Sequence, residues 1–562
     1  MTNVFMKKIY LFFIFLFYAQ VVFTQQTVGL FLNDSTSFNG YTLFAPSIGT
    51  ETYLIDNCGF VVHQWEMASA PPGSSIYLLE NGNLLRTGRI NSNFIAGGTG
   101  GRLELFSWED ELLWSYDYTT LDYHHHHDVA PMANGNILLI AWEKHINTDA
   151  VENGRIPAST SGDVWSEQVV EIKPLGIDSV EVVWQWSLWD HLVQDFDSTK
   201  LNYGVVAAHP ELMNINFGLS TVGGDNKDWI HLNAIDYNAD LDQILLSSRH
   251  LSEIYIIDHS TTTAEAATHS GGNSGKGGDI LFRWGNPQSY DRGDADTRKF
   301  YGQHDAKWIT NGLIDEGKIM VFNNGLGRPG GSFSSVDVIE PLLENNNTYT
   351  ISADDPFEPT DLFWSYAAPD PSSLYSATIS GAQRLPNGNT LICEGRAGTF
   401  NEVDYDGELV WNYQAPFNFA GVMTQGTPVN NNTNIFRVTR YAPDYQAFMN
   451  RNLIPTALIE LNPLPSNCEI FELEVAVNNI GTLENVKILT NPFNEMITIK
   501  NGTEGEVFVE LYDMMGKAYN NIETGNEFIE INSSTLERGM YVIRIFNKKR
   551  NQVFIAKIVK VN

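Results

Sequence analysis

Apolar and polar residues alternate in short runs along most of the chain, as in Tyr53-Leu54-Ile55-Asp56 and Ile254-Tyr255-Ile256-Ile257-Asp258. A period of two predicts β-strands rather than helices. Two patterns recur. The first is a short strand ending in paired aromatics: Val62-His63-Gln64-Trp65, Leu113-Trp114-Ser115-Tyr116, Val183-Trp184-Gln185-Trp186, Phe282-Arg283-Trp284, Phe363-Trp364-Ser365-Tyr366 and Val410-Trp411-Asn412-Tyr413. The second is a turn followed by an apolar strand: Asn81-Gly82-Asn83, Asn134-Gly135-Asn136 and Asn387-Gly388-Asn389, with looser copies at 238–245, 311–319 and 432–435. Asn-Gly between strand-like runs marks a hairpin. Six copies of two hairpins predict six four-stranded sheets, and radial repetition of such sheets is a six-bladed β-propeller.

The propeller is expected over residues 28–462, with an insertion at about 187–228. Its closure is expected to pair strands around 41–65 with strands near 434–462. Residues 463–487 read as a linker, and alternating Val, Ile and Phe over 488–562 predict a small C-terminal β-sandwich.

Composition narrows the setting. The 562 residues are 43% hydrophobic and 12% aromatic, enough for a packed core. A net charge of -33 repels phosphate backbones and argues against nucleic-acid binding. An anionic substrate would therefore need a local positive site. Lys7 and Lys8 precede the apolar run Ile9 to Phe23, the pattern of a secretory signal peptide over residues 1–24. That run is too short to span a membrane convincingly. Export permits disulfides, and three cysteines allow one bridge and one free thiol. Cys58–Cys468 is the expected bridge, since both lie near the ends of the main domain.

Aligning the repeats on their turns places Ser74, His127, His231, His304, Ser380 and Gln425 at equivalent positions, seven residues before the turn. Folding each hairpin back on itself sets them against Arg89, Trp142, Arg249, Asn324, Gly395 and Arg440. All are expected at one mouth of the channel, unless a bulge shifts the register by a residue. A lone histidine would read as a satisfied polar group, bonded for example as His127 to Asp128 or His304 to Asp305. Three at equivalent positions ask for more. A metal site could draw on His124 to His127 with His231 and His304, but Arg249 would repel the cation. An anion site with a nucleophile fits the arginine better, because guanidinium donors match sulfate or phosphate oxygens and a neutral imidazole attacks sulfur or phosphorus.

Several segments carry a family resemblance. They are Tyr123-His124-His125-His126-His127-Asp128, Asp228-Trp229-Ile230-His231-Leu232-Asn233 leading to Ser247-Ser248-Arg249, and Gln303-His304-Asp305-Ala306. Together with Gly381 to Asn389 they make residues 28–462 resemble the bacterial arylsulfate sulfotransferases that do not use phosphoadenosine phosphosulfate. The resemblance implies a six-bladed propeller and ping-pong transfer of a sulfuryl group from a phenolic sulfate to a phenol. It further implies a sulfated histidine at His304, with His231 and Arg249 stabilising the sulfuryl oxygens. His127 would be the acid and base, with His126 as the alternative. Asn324, Arg89, Arg440 and His126 are expected to bind substrate. No metal or other cofactor is implied. The tail, with Asn491-Pro492-Phe493, Leu511-Tyr512-Asp513, Gly516 and Gly539-Met540-Tyr541, resembles the C-terminal sorting domain of the type IX secretion system of Bacteroidetes. It implies the secretion machinery as a partner, passage through the periplasm, and release or attachment at the outer cell surface. Two other functions fit the residues: a non-catalytic propeller binding sulfated glycans or peptides, and a metal-dependent lyase or hydrolase.

Overall fold

The computed structural model describes residues 25–561 apart from 160–161, 220–226, 345–346, 431–432, 472–480, 483–485, 503–505, 514–516, 537 and 548–551. The signal peptide, the turn at 432 and Gly516 lie outside the described residues, as do parts of the insertion and of the linker. The fold is all-β, with 42% of residues in strands and 6% in helices. The chain divides into two units, residues 1–470 and 471–562.

In the first unit, antiparallel four-stranded sheets follow one another along the chain. Each but the first is built from two consecutive hairpins, as the turn signals predict. Tyr41–Phe44, Thr52–Ile55 and Val61–Trp65 form the first sheet with Thr439–Tyr441 from the far end of the unit. Pro72–Leu78, Leu84–Arg89, Gly101–Phe106 and Leu112–Asp117 make the next. It is bridged by the Ser74–His127 pair to Tyr123–Pro131, Ile137–His145, Val164–Leu175 and Ser179–Ser187. Then come Leu232–Asn238 to Phe282–Trp284, His304–Trp308 to Trp364–Tyr366, and Gly381–Arg384 to Leu409–Gln414, the last with Gly29–Asn33 on its outer edge.

The paired-aromatic motif is the last strand of each sheet, and its tryptophan has a physical task. Every one of these indole N–H groups donates to the turn region after the third strand of the following sheet. Trp65 reaches Ser107 O at 2.9 Å, Trp114 reaches Ser179 O at 3.0 Å, and Trp184 reaches Thr261 Oγ1 at 3.1 Å. Trp284 reaches Pro359 O at 2.6 Å, Trp364 reaches Tyr405 O at 3.4 Å, and Trp411 reaches Asn57 O at 2.8 Å. The last of these returns to the first sheet. A large apolar body with one donor at its rim suits such a seam, since burial leaves the N–H needing a partner.

Closure joins Tyr41 to Tyr441, Thr42 to Arg440 and Leu43 to Thr439, within the ranges expected. The looser turn copy at 432–435 lies partly outside the described residues. The partner of Thr439–Tyr441 comes from the other end of the unit, so no local hairpin sets its register. Gln425 accordingly lies elsewhere, where its Oε1 accepts the Thr27 and Val28 N–H groups. The Cys58–Cys468 disulfide is present, and Cys393 is a buried free thiol.

The first strands are bulged near the predicted positions. Register shifts occur between Pro72 and Ile76, between Leu232 and Ala234, between His304 and Lys307, and opposite Leu139 and Ala141. Residues there adopt positive φ: His127 +52°, His231 +54°, Asp305 +55° and Ser380 +88°. Left-handed backbone outside glycine is uncommon and costs on the order of 1 kcal/mol or more, so it persists only where surroundings enforce it.

In the second unit, Gly481–Thr482, Val507–Asp513, Ala518–Thr524, Gly539–Asn547 and Gln552–Lys560 form one sheet, and Val486–Ile488, Met496–Asn501 and Phe528–Asn532 form another. Both contribute to one apolar cluster that includes Ile497, Ile499, Ile531, Val509, Leu511, Ile543 and Ile558.

Candidate active site

His304 opens its strand and is almost fully buried, at 2% exposure. Its Nδ1 lies 2.7 Å from Asn324 Oδ1 and 3.1 Å from Gly302 O. Both are acceptors, so Nδ1 carries the hydrogen and Nε2 the lone pair. Asn324 is assigned without ambiguity, because its amide nitrogen donates to Ser376 O at 2.7 Å and Ile379 O at 2.9 Å. Nε2 accepts one longer bond, 3.2 Å, from the Ile379 N–H. Burial, and then the Arg249 charge, hold the imidazole well below its ordinary pKa. His304 is therefore neutral at physiological pH, with its nucleophilic nitrogen set by structure.

Two of the expected cross-strand pairings are present and two are shifted. Arg249 N–H donates to His231 O at 3.0 Å, the predicted pairing, and Gly395 N–H reaches the equivalent Ser380 Oγ at 2.9 Å. His304 faces Phe322 across the ladder, and only its side chain reaches Asn324. The bulge moves His127 off Trp142, which instead faces His124. His126 then stacks on the Trp142 ring at 4.0 Å.

His127 and His231 rings meet edge to face at 4.7 Å. His231 Nδ1 bonds Asp228 Oδ2, which leaves Nε2 for a ligand. The half-buried Arg249 guanidinium makes no hydrogen bond or ion pair with any described residue. Burial lowers its pKa while the Asp228 charge raises it. Behind His127 runs a buried chain: His127 Nδ1 to His126 Nδ1 at 2.8 Å, then His126 Nε2 to Glu167 Oε2 at 2.8 Å. Burial first, then the Asp228 charge, push the Glu167 carboxyl well above the usual range. Both histidines are held well below theirs, chiefly by burial. Gly98 backs the cluster. A Cβ there would lie 2.0 Å from His127 Nε2, and its φ is +73°, so only glycine fits.

Asp128 and Asp305 do not bond the histidines before them, in line with setting aside the lone-histidine reading. Both pair with buried Arg437, at 2.8 and 3.2 Å, which ties together the strands carrying His127 and His304. Asn324, expected to bind substrate, gives both side-chain amide hydrogens to carbonyls and orients His304. Arg440 is enclosed by Glu402, Thr42 Oγ1 and the Trp411 ring, and it is bonded to none of the histidines. Its expected place was counted from a turn at 432 that lies outside the described residues. Arg89 is exposed and spans Ser47 O and Pro72 O at 3.4 and 3.3 Å. The sequence reading missed Glu167, Arg437 and Gly98. Glu167 had a signal, a carboxylate within the run Val164-Trp165-Ser166-Glu167-Gln168-Val169-Val170 that is buried throughout.

A family model described as Arylsulfotransferase (ASST) matches residues 35–438. One described as a secretion system C-terminal sorting domain matches residues 487–561. No curated protein matches the chain. Among solved structures, the chain is similar to a protein of unknown function from Bacteroides caccae at 11% identity and TM-score 0.39, covering 72% of this chain and 98% of that one. A streptogramin B lyase shares 10% identity at TM-score 0.34, covering 74% and 96%. The periplasmic gluconolactonase PpgL of Pseudomonas aeruginosa shares 10% at TM-score 0.32, covering 70% and 98%. These likenesses are too distant to bear on this chain's chemistry.

Proposed function

Since the chain belongs to the arylsulfotransferase family and carries a type IX secretion sorting domain, we propose that it is an exported enzyme that moves a sulfuryl group from a phenolic sulfate ester to a phenol through a sulfated His304. The observation that carries this reading is a buried neutral imidazole, its lone pair directed by Asn324, under the charge of an Arg249 that has no partner among the described residues. In the first step His304 Nε2 forms a bond to sulfur as the bond from sulfur to the phenolic oxygen breaks. Arg249, and the Nε2–H of a doubly protonated His231 held by Asp228, take up the charge on the sulfuryl oxygens; fixed donors of this kind contribute roughly 3 kcal/mol each. His127 Nε2 protonates the departing phenolate. In the second step it takes the proton of the acceptor phenol, whose oxygen attacks sulfur and frees His304.

The chain behind His127 supplies this proton without charging a buried ring. With Glu167 protonated, Glu167 donates to His126 Nε2, His126 Nδ1–H donates to His127 Nδ1, and His127 Nε2 bears a hydrogen. Once Nε2–H is given up, each proton shifts one place, leaving Glu167 ionised, both histidines neutral and His127 Nε2 a base. The two arrangements match the acid and base forms the two steps need.

The wider architecture proposed is a six-bladed propeller over 28–462, for which the ring of tryptophan bonds speaks, a linker at 463–487, and a C-terminal sandwich over 488–562. After export through the periplasm the protein is released or held at the cell surface. The test is intact mass after brief exposure to a chromogenic aryl sulfate. One added sulfuryl group is expected, and His304→Asn should abolish both the label and phenol release. Absence of label and transfer over a broad panel of donors would sink the proposal. Binding of sulfated ligand without turnover, unaltered by His304→Asn, would identify a non-catalytic binder instead.

A further inference from the structure

We propose that His191, His269 and Asp279 bind one divalent transition-metal ion of the zinc class, at a site that shares no residue with the His304 cluster. His191 lies in the connection after Ser179–Ser187, and His269 and Asp279 lie in the connection after Glu253–Asp258. One donor atom from each gathers within 4.8 Å of the other two. His191 Nδ1 and His269 Nδ1 stand 2.9 and 2.7 Å from the same Asp279 Oδ1.

The surroundings select the ligating atom. His191 Nε2 is 2.8 Å from Ala266 O, which can only accept, so Nε2 carries a hydrogen. Nδ1 is left facing the Asp279 carboxylate, with the second ring nitrogen committed to a carbonyl. An outer hydrogen bond from the second ring nitrogen to a carbonyl is the usual support of a ligating histidine. The ring is held further by stacking on Trp186, with planes 8° apart. Gly278 is packed so close that a Cβ there would lie 2.5 Å from His191 Nε2, and its carbonyl accepts the Trp186 indole N–H at 2.7 Å.

Two imidazoles and one carboxylate suit zinc and its neighbours rather than calcium or magnesium. Ligands about 2.0–2.1 Å from a tetrahedral ion stand roughly 3.3 Å apart, so the two histidines need withdraw only slightly. His269 has room to do so, with its side chain 61% exposed. Water from that side completes the shell. The ion would clip the long insertion to the neighbouring connection and stabilise both.

Full-length protein, stripped by a chelator and titrated with Zn2+ by calorimetry, is expected to take up one ion that His269→Gln weakens at least about tenfold, as ligand-shell changes do. Asp228, His231 and His250 also gather donor atoms; an ion held there would persist in His269→Gln, so the difference between the titrations isolates the new site. Chelation should lower the thermal midpoint of the wild type and leave that of His269→Gln unchanged. Co2+ in place of Zn2+ should give the visible absorption of a four-coordinate ion in the wild type alone. Wild-type protein that takes up no Zn2+, or His269→Gln that binds as tightly as wild type, would overturn the proposal. The exposure of His269 keeps the variant's folding out of the question.

Discussion

At the residue scale, His304 stands apart from its equivalents through two neighbours. Asn324 fixes which nitrogen carries the hydrogen, and Arg249 opposes protonation of the ring. The sign of that effect is testable. A folded pKa lowered below 6.5 keeps the nucleophile neutral as pH falls, so the rate of sulfuryl labelling should hold from pH 7.5 down to pH 6. An acid limb centred at 6.5 or higher would contradict it. Glu167 makes a second prediction. Glu167→Gln still donates to His126 but cannot release a proton. Turnover should fall about 100-fold, the scale of general acid–base catalysis, and the loss should shrink for donors whose phenolate leaves without protonation. Equal loss over a series of phenols of differing acidity would remove Glu167 from the proton path. Neither role was legible beforehand. Residue types and order marked the histidines, but tautomers and proton chains depend on what stands behind each ring.

At the scale of elements, a strand pattern read as a repeat proves to be a joint. The tryptophan of each last strand is apolar enough to fill the gap between sheets and keeps one donor for the next sheet's turn. Trp411 closes the series, with Arg440 above its ring. Trp411→Phe keeps most of the packing and strands the Asn57 carbonyl. It should cost about 1–3 kcal/mol in urea unfolding, the penalty of an unsatisfied buried acceptor; an unchanged midpoint would show that the bond contributes nothing. The bulges were the limit of the register argument. It assumed regular hairpins and therefore placed His127 against Trp142, where the extra residues of the bulge put His124. Arg440 was expected at the mouth by counting from a turn at 432, which lies outside the described residues. Arg437, three residues earlier, holds Asp128 and Asp305 together.

At the scale of the whole molecule, the first unit is fastened at its ends. Thr439–Tyr441 pairs with Tyr41–Phe44, and Cys58 is bonded to Cys468 across a sequence separation of 410 residues. A cross-link over so long a loop removes much freedom from the unfolded chain, worth up to about 5 kcal/mol. The Cys58→Ser, Cys468→Ser variant should unfold at clearly lower urea than the oxidised wild type and at the same urea as the reduced wild type. No difference between oxidised and reduced protein would place the stabilisation elsewhere.

The sequence by itself determined the strands, the hairpins, the recurring aromatic joint and the motifs that mark the family. All of these are local: period-two alternation, Asn-Gly turns and short ordered runs lie within a few residues of one another. Only the tertiary structure decided how the histidines are wired. The His126–Glu167 bond spans 41 residues and the Arg437–Asp128 pair spans 309. Such contacts leave no periodic trace, because they arise when strands distant in sequence bring unrelated positions into one buried space, where a proton or a charge must find a partner.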